Sequence, residues 1–172
     1  MIVFLDESGV SLESNVVRTW APKGQPVVLR QPWGHREKLS IIAAVSADRL
    51  FFRIYEQAIH AEQVVEFLEQ LEREVGEPLL VVWDGISTHR AAVVKEYLRQ
   101  RAGRIWVERL PAYAPELNPV EYAWGRLKQL ELPNLQVDAV PALKQKCQQG
   151  LRRMSRRSEL VASFWQQAEL AL

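Results

Sequence analysis

Two aspartates follow the most apolar runs of the chain, where a charge is costly to bury. Asp6 follows IVFL and Asp84 follows PLLVVW. The alternative for Asp84 is a turn residue, because Asp-Gly is a common turn pair at a strand end. On neighbouring central strands the two carboxylates would repel each other unless a cation lay between them. Oxygen ligands of this kind select a hard ion such as Mg²⁺ or Mn²⁺, so the pair predicts a metal site.

A third carboxylate comes from the stretch LPAYAPELNPVEYAWGRLK, which carries Glu116 and Glu121 on either side of an Asn-Pro pair. Asn118 is a good helix N-cap, Pro119 fits the first helical position and Glu121 falls at the third, which is a capping-box pattern. That pattern alone predicts a helix start and no chemistry. A carboxylate in the first turn is also kept ionised by the helix dipole, as a metal ligand requires. Glu116 is interpreted as a solvated loop charge.

The helix that starts at Asn118 is predicted to be amphipathic. Its apolar residues recur at helical spacing and form a buried stripe, namely Val120, Ala123, Trp124 and Leu127. Lys128 then lies on a neighbouring face two turns after Glu121, where it can hold a phosphate.

The elements needed to position these side chains are strands first and helices later. The apolar opening predicts a central strand that contains Asp6. Hairpins are predicted over VVRTWAPKGQPVVL, turning at Pro22 to Gly24, and over KLSIIAAVSADRLFFRIYE. A helix is then predicted from His60 to Gly76, followed by a strand that ends at Asp84 and a helix from about Thr88. The order ends with the strand RIWVERLP and with helices from Asn118 that break at Pro133 and Pro141. This order predicts an α/β fold whose mixed sheet is covered by helices.

The bulk composition is that of one ordinary globular domain. The chain has 172 residues, of which 48% are hydrophobic and 25% charged. The longest apolar runs are too short to cross a bilayer, and a single cysteine, Cys147, fits a reducing cytoplasm, so no membrane partner is expected. The net charge is only +1, but no acidic residue lies between Asp138 and Glu159. This basic end carries four arginines that can meet phosphates, namely Arg152, Arg153, Arg156 and Arg157.

Three motifs together resemble the catalytic domain of DDE transposases of the mariner type and their bacterial insertion-sequence relatives. They are FLDESGV, then VVWDGISTHR, then LPAYAPELNPVEYAWGRLK, and they span about residues 2 to 128 in the family order. The resemblance implies a ribonuclease-H-like fold, a mixed five-stranded sheet flanked by helices. It also implies that Asp6, Asp84 and Glu121 are the catalytic carboxylates and hold two Mg²⁺ or Mn²⁺ ions per active site. His89 is then a candidate for contact with a phosphate or a water molecule.

The activity implied by the resemblance is cleavage of DNA at transposon ends and transfer of those ends into target DNA. The alternatives are a ribonuclease-H-like nuclease or resolvase that cuts without joining, and a catalytically silent DNA-binding or assembly remnant. The chain is read as a single catalytic domain over 1–172, with a core of about 1–130 and a helical region of about 134–172. We expect a bacterial cytoplasmic protein, associated with the nucleoid when it is bound to DNA.

The chain departs from the family pattern in two respects. Gly85 stands where relatives usually have Asn, which removes an amide that orients a ligand or phosphate. The N-terminal helix-turn-helix domain of relatives is expected to be absent, so either DNA-end recognition comes from a separate or frameshifted reading frame or the chain is a truncated copy. Transposition joins paired ends, so a dimer is expected in the working complex.

Overall fold

The computed structural model describes residues 1–13, 16–28, 37–111 and 114–170. Five strands form one sheet: β1 (Ile2–Ser11), β2 (Lys38–Val45), β3 (Leu50–Tyr55), β4 (Leu79–Trp83) and β5 (Ile105–Arg109). Five α-helices accompany it: α1 (Ala61–Val75), α2 (Ala92–Gln100), α3 (Pro119–Arg126), α4 (Val140–Ser155) and α5 (Ser158–Gln167). Short 3₁₀ turns at Thr88–Arg90 and Pro115–Leu117 precede α2 and α3.

The sheet is mixed, with the strand order β3-β2-β1-β4-β5. Strands β1, β2 and β3 are antiparallel neighbours, whereas β4 and β5 run parallel to β1. The parallel pairs need crossover connections, which α1 and α2 supply. The predicted mixed five-stranded sheet with a central first strand is therefore confirmed.

Each face of the sheet packs against its own set of helices because successive strand residues point to opposite faces. On one face, α1 and α2 cover a core that includes Val3, Leu5 and Val81. On the other face, α3, α4 and α5 cover a core that includes Phe4 and Ile41. Both faces of β1 are thus buried, as its unbroken apolar start predicts.

One predicted hairpin is wrong. Residues 16–28 form no strand, although the predicted turn is present, with the Gln25 N–H donating to the Pro22 carbonyl at 3.0 Å and Gly24 at φ +83°. The last predicted strand residue, Leu29, lies outside the described residues. Segment 16–28 is tied down instead by Asn134, whose side chain exchanges hydrogen bonds of 2.9 and 3.0 Å with the main chain of Val17. The β-branched residues there have no partner strand among the described residues, and β-propensity depends on such a partner.

The C-terminal helices differ in detail from the predicted breaks. A π-helical turn, Leu127–Glu131, extends α3, and the Leu132 N–H donates to the Leu127 carbonyl at 2.9 Å. Pro141 lies in the first turn of α4, where its missing N–H costs nothing. No helix in the described part of the chain is both long and apolar enough to cross a membrane.

Helix α4 crosses the π-helical turn most closely at Gly150. A Cβ at this position would lie 3.0 Å from Glu131 Cβ and 3.2 Å from Leu127 Cδ1. We expect Gly150→Val to lower the free energy of unfolding in urea by about 1–3 kcal/mol, through overpacking. The control is Gly125→Ala in α3, since nothing lies within 4 Å of the added Cβ. This change should raise stability by roughly 0.5–1 kcal/mol, and a Gly150→Val protein as stable as wild type would contradict the close crossing.

Candidate active site

Three carboxylates line one cavity of about 290 Å³ at the edge of the sheet. They belong to Asp6 on β1, Asp84 directly after β4 and Glu121 in the first turn of α3. The rest of the lining is uncharged, namely Gly85, Leu110, Pro111, Ala114, Pro115 and Asn118. The cavity therefore concentrates negative charge with no basic side chain among its described lining residues.

The parallel register of β1 and β4 brings the two aspartates to one level. Phe4 pairs with Val82, and each of these residues stands two positions before its aspartate. A step of two residues along a strand keeps a side chain on the same face. Phe4 and Val82 both belong to the core under α3, so Asp6 and Asp84 are delivered towards that same side of the sheet.

Asp6 is held by a tryptophan from the helix that covers it. The Trp124 indole Nε1–H donates to Asp6 Oδ2 at 2.9 Å, and Trp124 is only 3% exposed. Burial, joined by the charges of Glu121 and Glu7, raises the pKa of Asp6 to about 7 in spite of the lowering effect of the Trp124 hydrogen bond. The ionised form thus lacks a compensating positive charge.

Asp84 is held from the opposite side of the sheet by a buried histidine. His89 Nδ1 lies 3.1 Å from Asp84 Oδ1 and 3.1 Å from the Asp84 carbonyl oxygen, while Nε2 lies 2.8 Å from Glu7 Oε1. The ring stacks on Trp83 with centroids 4.2 Å apart and planes at 9°. Burial lowers the pKa of His89, but the hydrogen bond and charge of Glu7, followed by those of Asp84, outweigh it and raise the pKa.

Glu121 is aimed by the predicted helix start, but the capping box is only half formed. Asn118 is buried and its Oδ1 accepts from the Val120 N–H at 3.1 Å, with Pro119 in the first turn. The Asn118 N–H donates to the Pro115 carbonyl at 3.0 Å instead of to the Glu121 side chain. The Glu121 carboxylate is therefore left to face the cavity and solvent.

The other candidates lie away from this cavity. Glu116 is exposed, and only its carbonyl is engaged, by the Tyr122 hydroxyl at 3.2 Å. Lys128 Nζ donates to Ser8 Oγ at 2.7 Å, beside β1 and two residues beyond Asp6. Arg153 pairs with Glu131 at 2.7 Å. The remaining arginines of the basic end, Arg152, Arg156 and Arg157, are exposed at the junction of α4 and α5.

The residues of the cavity fit a divalent cation. Three carboxylates are the oxygen ligands that hard ions prefer. The raised pKa of Asp6, near 7, reflects burial beside other carboxylates, a cost that a bound cation would offset. Within residues 1–13, 16–28, 37–111 and 114–170, no three His, Cys, Asp or Glu side chains are already grouped tightly enough to hold a metal. Because ionised carboxylates repel each other, closure of the three around a cation requires side-chain movement.

Sequence reasoning missed two of the contacts around the aspartates. Trp124 was expected only as part of a buried stripe, and Glu7 was not considered. A signal for Glu7 existed, because it follows Asp6 in β1 and so places a carboxylate on the face covered by α1 and α2. A buried carboxylate there needs a donor, and His89 supplies it.

Residues 1–144 match the sequence profile of a family described as DDE superfamily endonuclease. The fold is shared with the crystal structure of the Mos1 mariner paired end complex with Mn (17% identity, TM-score 0.72, 98% of this chain and 53% of that chain). It is also shared with the crystal structure of the Mos1 strand transfer complex (18% identity, TM-score 0.62, 95% of this chain and 54% of that chain). A simian T-cell lymphotropic virus intasome in complex with the PP2A regulatory subunit B56 gamma matches at 13% identity and TM-score 0.60, over 89% of this chain and 47% of that chain. The chain thus spans about half the length of these solved chains, and no curated protein sequence matches it.

Proposed function

The chain belongs to the DDE superfamily endonuclease family, and from that premise we propose that it is the catalytic part of a transposase. The proposed reaction is metal-dependent cleavage of DNA strands at transposon ends, followed by transfer of those ends into target DNA. The observation that carries the proposal is the shared cavity of Asp6, Asp84 and Glu121 on a ribonuclease-H-like sheet.

The proposed ligands of two Mg²⁺ or Mn²⁺ ions are these three carboxylates, and the resemblance to mariner-type transposases implies that Asp6 would be shared between the ions. When bound, such ions activate an attacking oxygen and stabilise the leaving one. The sheet fixes the level of the two aspartates, and the Asn118 cap fixes the start of the helix that carries Glu121. Carboxylates from three separate elements would thus hold the cations beside one phosphodiester.

The proposed partner is DNA, because the similar Mos1 chains form a paired-end complex with a transposon end and a strand transfer complex. A dimer in the working complex is proposed because transposition joins paired ends, and a separately encoded helix-turn-helix part is proposed to recognise those ends. Arg153 pairs with Glu131, which lies ten residues after Glu121 along the same helical run. Ten helical residues span about 15 Å, so this arginine lies well away from Glu121. We assign Arg152, Arg153, Arg156 and Arg157 to phosphates away from the cut, where they position the duplex and take no part in chemistry.

Lys128 and His89 receive different proposed roles. Lys128 donates a hydrogen bond to Ser8, which lies on the same strand as Asp6, and is proposed to attract a phosphate near the cut. The His89 side chain is 1% exposed, and both of its ring nitrogens contact protein oxygens. A part in fixing Asp84 fits this geometry better than direct contact with a phosphate.

The test uses the chain with Mg²⁺, a labelled duplex that carries the inverted repeat flanking the coding sequence, and a supercoiled plasmid as target. The proposal expects nicked duplex and label joined to the plasmid, both abolished by a chelator. Nicking without joining would favour the nuclease or resolvase alternative. Binding of the duplex without nicking in either Mg²⁺ or Mn²⁺ would overturn the enzymatic proposal in favour of a silent DNA-binding module.

A further inference from the structure

We propose that Trp124 and His89 are positioning residues that fix the cavity aspartates so that one oxygen of each is left for the cations, and that Glu7 orients His89. This inference rests on the proposed metal-dependent function. It assigns to the chain a pair of ring N–H donors that approach the site from opposite faces of the sheet.

The donor to Asp6 is fixed by the core under α3. Trp124 is 3% exposed, and its indole N–H has a single hydrogen to donate and no capacity to accept. That hydrogen is directed to Asp6 Oδ2 at 2.9 Å. Because the ring is buried on a helix and the aspartate on a central strand, neither partner is free to turn away. One oxygen of Asp6 is thereby assigned to protein and the other remains for a ligand.

Asp84 is held at one carboxylate oxygen and at its main-chain carbonyl. Asp84 Oδ1 lies 3.3 Å from the Ile86 N–H and 3.1 Å from His89 Nδ1. His89 Nδ1 also faces the Asp84 carbonyl oxygen, which only accepts, so Nδ1 carries a proton whether the ring is neutral or charged. Oδ1 thus accepts from the Ile86 N–H and lies beside the His89 ring, whose Nδ1–H donates to the Asp84 carbonyl, and Oδ2 is the oxygen left for the cavity.

Glu7 sets the orientation of the histidine ring. Its Oε1 lies 2.8 Å from His89 Nε2, and the opposite ring face is stacked on Trp83. A histidine held between two carboxylates and against an aromatic ring has one orientation available. Groups that orient metal ligands in this way typically change metal affinity or activity by about 10–100-fold when they are removed.

A purely structural role makes a different prediction from a positioning role. If Trp124 and His89 only fill space, their removal lowers the free energy of unfolding and leaves the metal dependence unchanged. If they position the aspartates, loss of the N–H alone weakens metal binding even where the packing is kept. Metal binding, read without turnover, therefore separates the two roles.

The first test replaces Trp124 by Phe, which removes the N–H and keeps an aromatic ring. The matched control is Trp165→Phe, the same change at a buried tryptophan of the same core, whose ring meets Phe4 edge-on at 5.2 Å. Free Mn²⁺ is measured by electron paramagnetic resonance during titration of each protein. We expect the apparent dissociation constant for Mn²⁺ to rise about 10–100-fold in Trp124→Phe and to stay within about 2-fold in Trp165→Phe. Equal affinities in the two variants would overturn the assignment of Trp124.

The second test uses His89 and Glu7 and does not depend on the folding of a tryptophan variant. His89→Ala and Glu7→Ala are expected to weaken Mn²⁺ binding about 10–100-fold. His89→Asn retains an amide donor and Glu7→Gln retains an acceptor for Nε2–H, so both are expected to recover most of the affinity. Alanine variants that bind Mn²⁺ like wild type would overturn the positioning roles of His89 and Glu7.

The same titrations separate failure of the inference from failure of the proposed function. A wild-type chain that neither binds Mn²⁺ nor cuts DNA contradicts the proposed function itself. A wild-type chain that binds and cuts, with Trp124→Phe and His89→Ala unchanged, contradicts only the positioning roles.

Discussion

Replacement of Asp6 by Asn is expected to slow metal-dependent DNA cleavage by about 10³-fold or more. Asp6 lies on the central strand and is the carboxylate proposed to contact both cations, so its loss removes a ligand from each. Metal ions at such sites supply several kcal/mol of transition-state stabilisation, and each 1.36 kcal/mol corresponds to about tenfold in rate. Single-turnover cleavage of the labelled duplex in Mg²⁺ measures the loss.

In the absence of divalent ions, the same variant should also change how the unfolding temperature depends on pH. Burial, followed by the charges of Glu121 and Glu7, raises the pKa of Asp6 from 3.8 to about 7 in spite of the Trp124 hydrogen bond. Because the pKa is higher in the folded state, this group's stabilising contribution is full below pH 3.8 and is lost as the pH rises through about 7. At about pH 8, metal-free Asp6→Asn is therefore expected to unfold at a higher temperature than wild type, with the gap closing towards about pH 4.

The control for both measurements is Asp138→Asn, an identical change at an exposed residue before α4. It should cleave DNA like wild type and follow the wild-type dependence of unfolding temperature on pH. Cleavage by Asp6→Asn at the wild-type rate would refute the ligand assignment. A variant that is inactive but less stable than wild type at about pH 8 would instead point to a folding defect.

The sequence was sufficient to predict how the two aspartates reach the site. Apolar runs before Asp6 and Asp84 identify buried strands, and the crossover helix α1 accounts for their parallel direction, whereas the register that puts Phe4 opposite Val82 is seen only in the structure. The helix start at Asn118 was equally predictable, since capping depends on residues within a few positions of each other. Local chemistry and burial patterns thus accounted for all three elements that deliver the carboxylates.

What could not be predicted depended on contacts between distant residues. Segment 16–28 has strand-forming residues, but it is tied to Asn134, more than a hundred positions away, and pairs with no strand in the part of the chain that the structure describes. Likewise, a periodic pattern identifies Trp124 as buried but cannot say that its N–H meets Asp6, 118 residues earlier. The capping box failed in part because the Asn118 N–H found the Pro115 carbonyl in the preceding turn.

Glu121→Gln and Glu116→Gln form the second pair of variants with a large expected difference. The two glutamates lie five positions apart in one stretch and are both exposed, so composition and accessibility do not distinguish them. Only Glu121 lines the cavity with Asp6 and Asp84. We expect Glu121→Gln to lower the single-turnover cleavage rate by about 10³-fold and Glu116→Gln to change it by less than about 2-fold.

This pair also tests whether closure of the carboxylates around a cation is the role of Glu121. The glutamine side chain keeps the size and the helix start, because Asn118 caps through the Val120 N–H and not through residue 121. Unfolding temperatures without metal should therefore agree with wild type, while the Mn²⁺-induced increase in unfolding temperature should shrink in Glu121→Gln alone. A reduced increase in Glu116→Gln, with Glu121→Gln unaffected, would transfer the third ligand to Glu116. That result would require the 3₁₀ turn at Pro115–Leu117 to rearrange, since Glu116 lies outside the cavity.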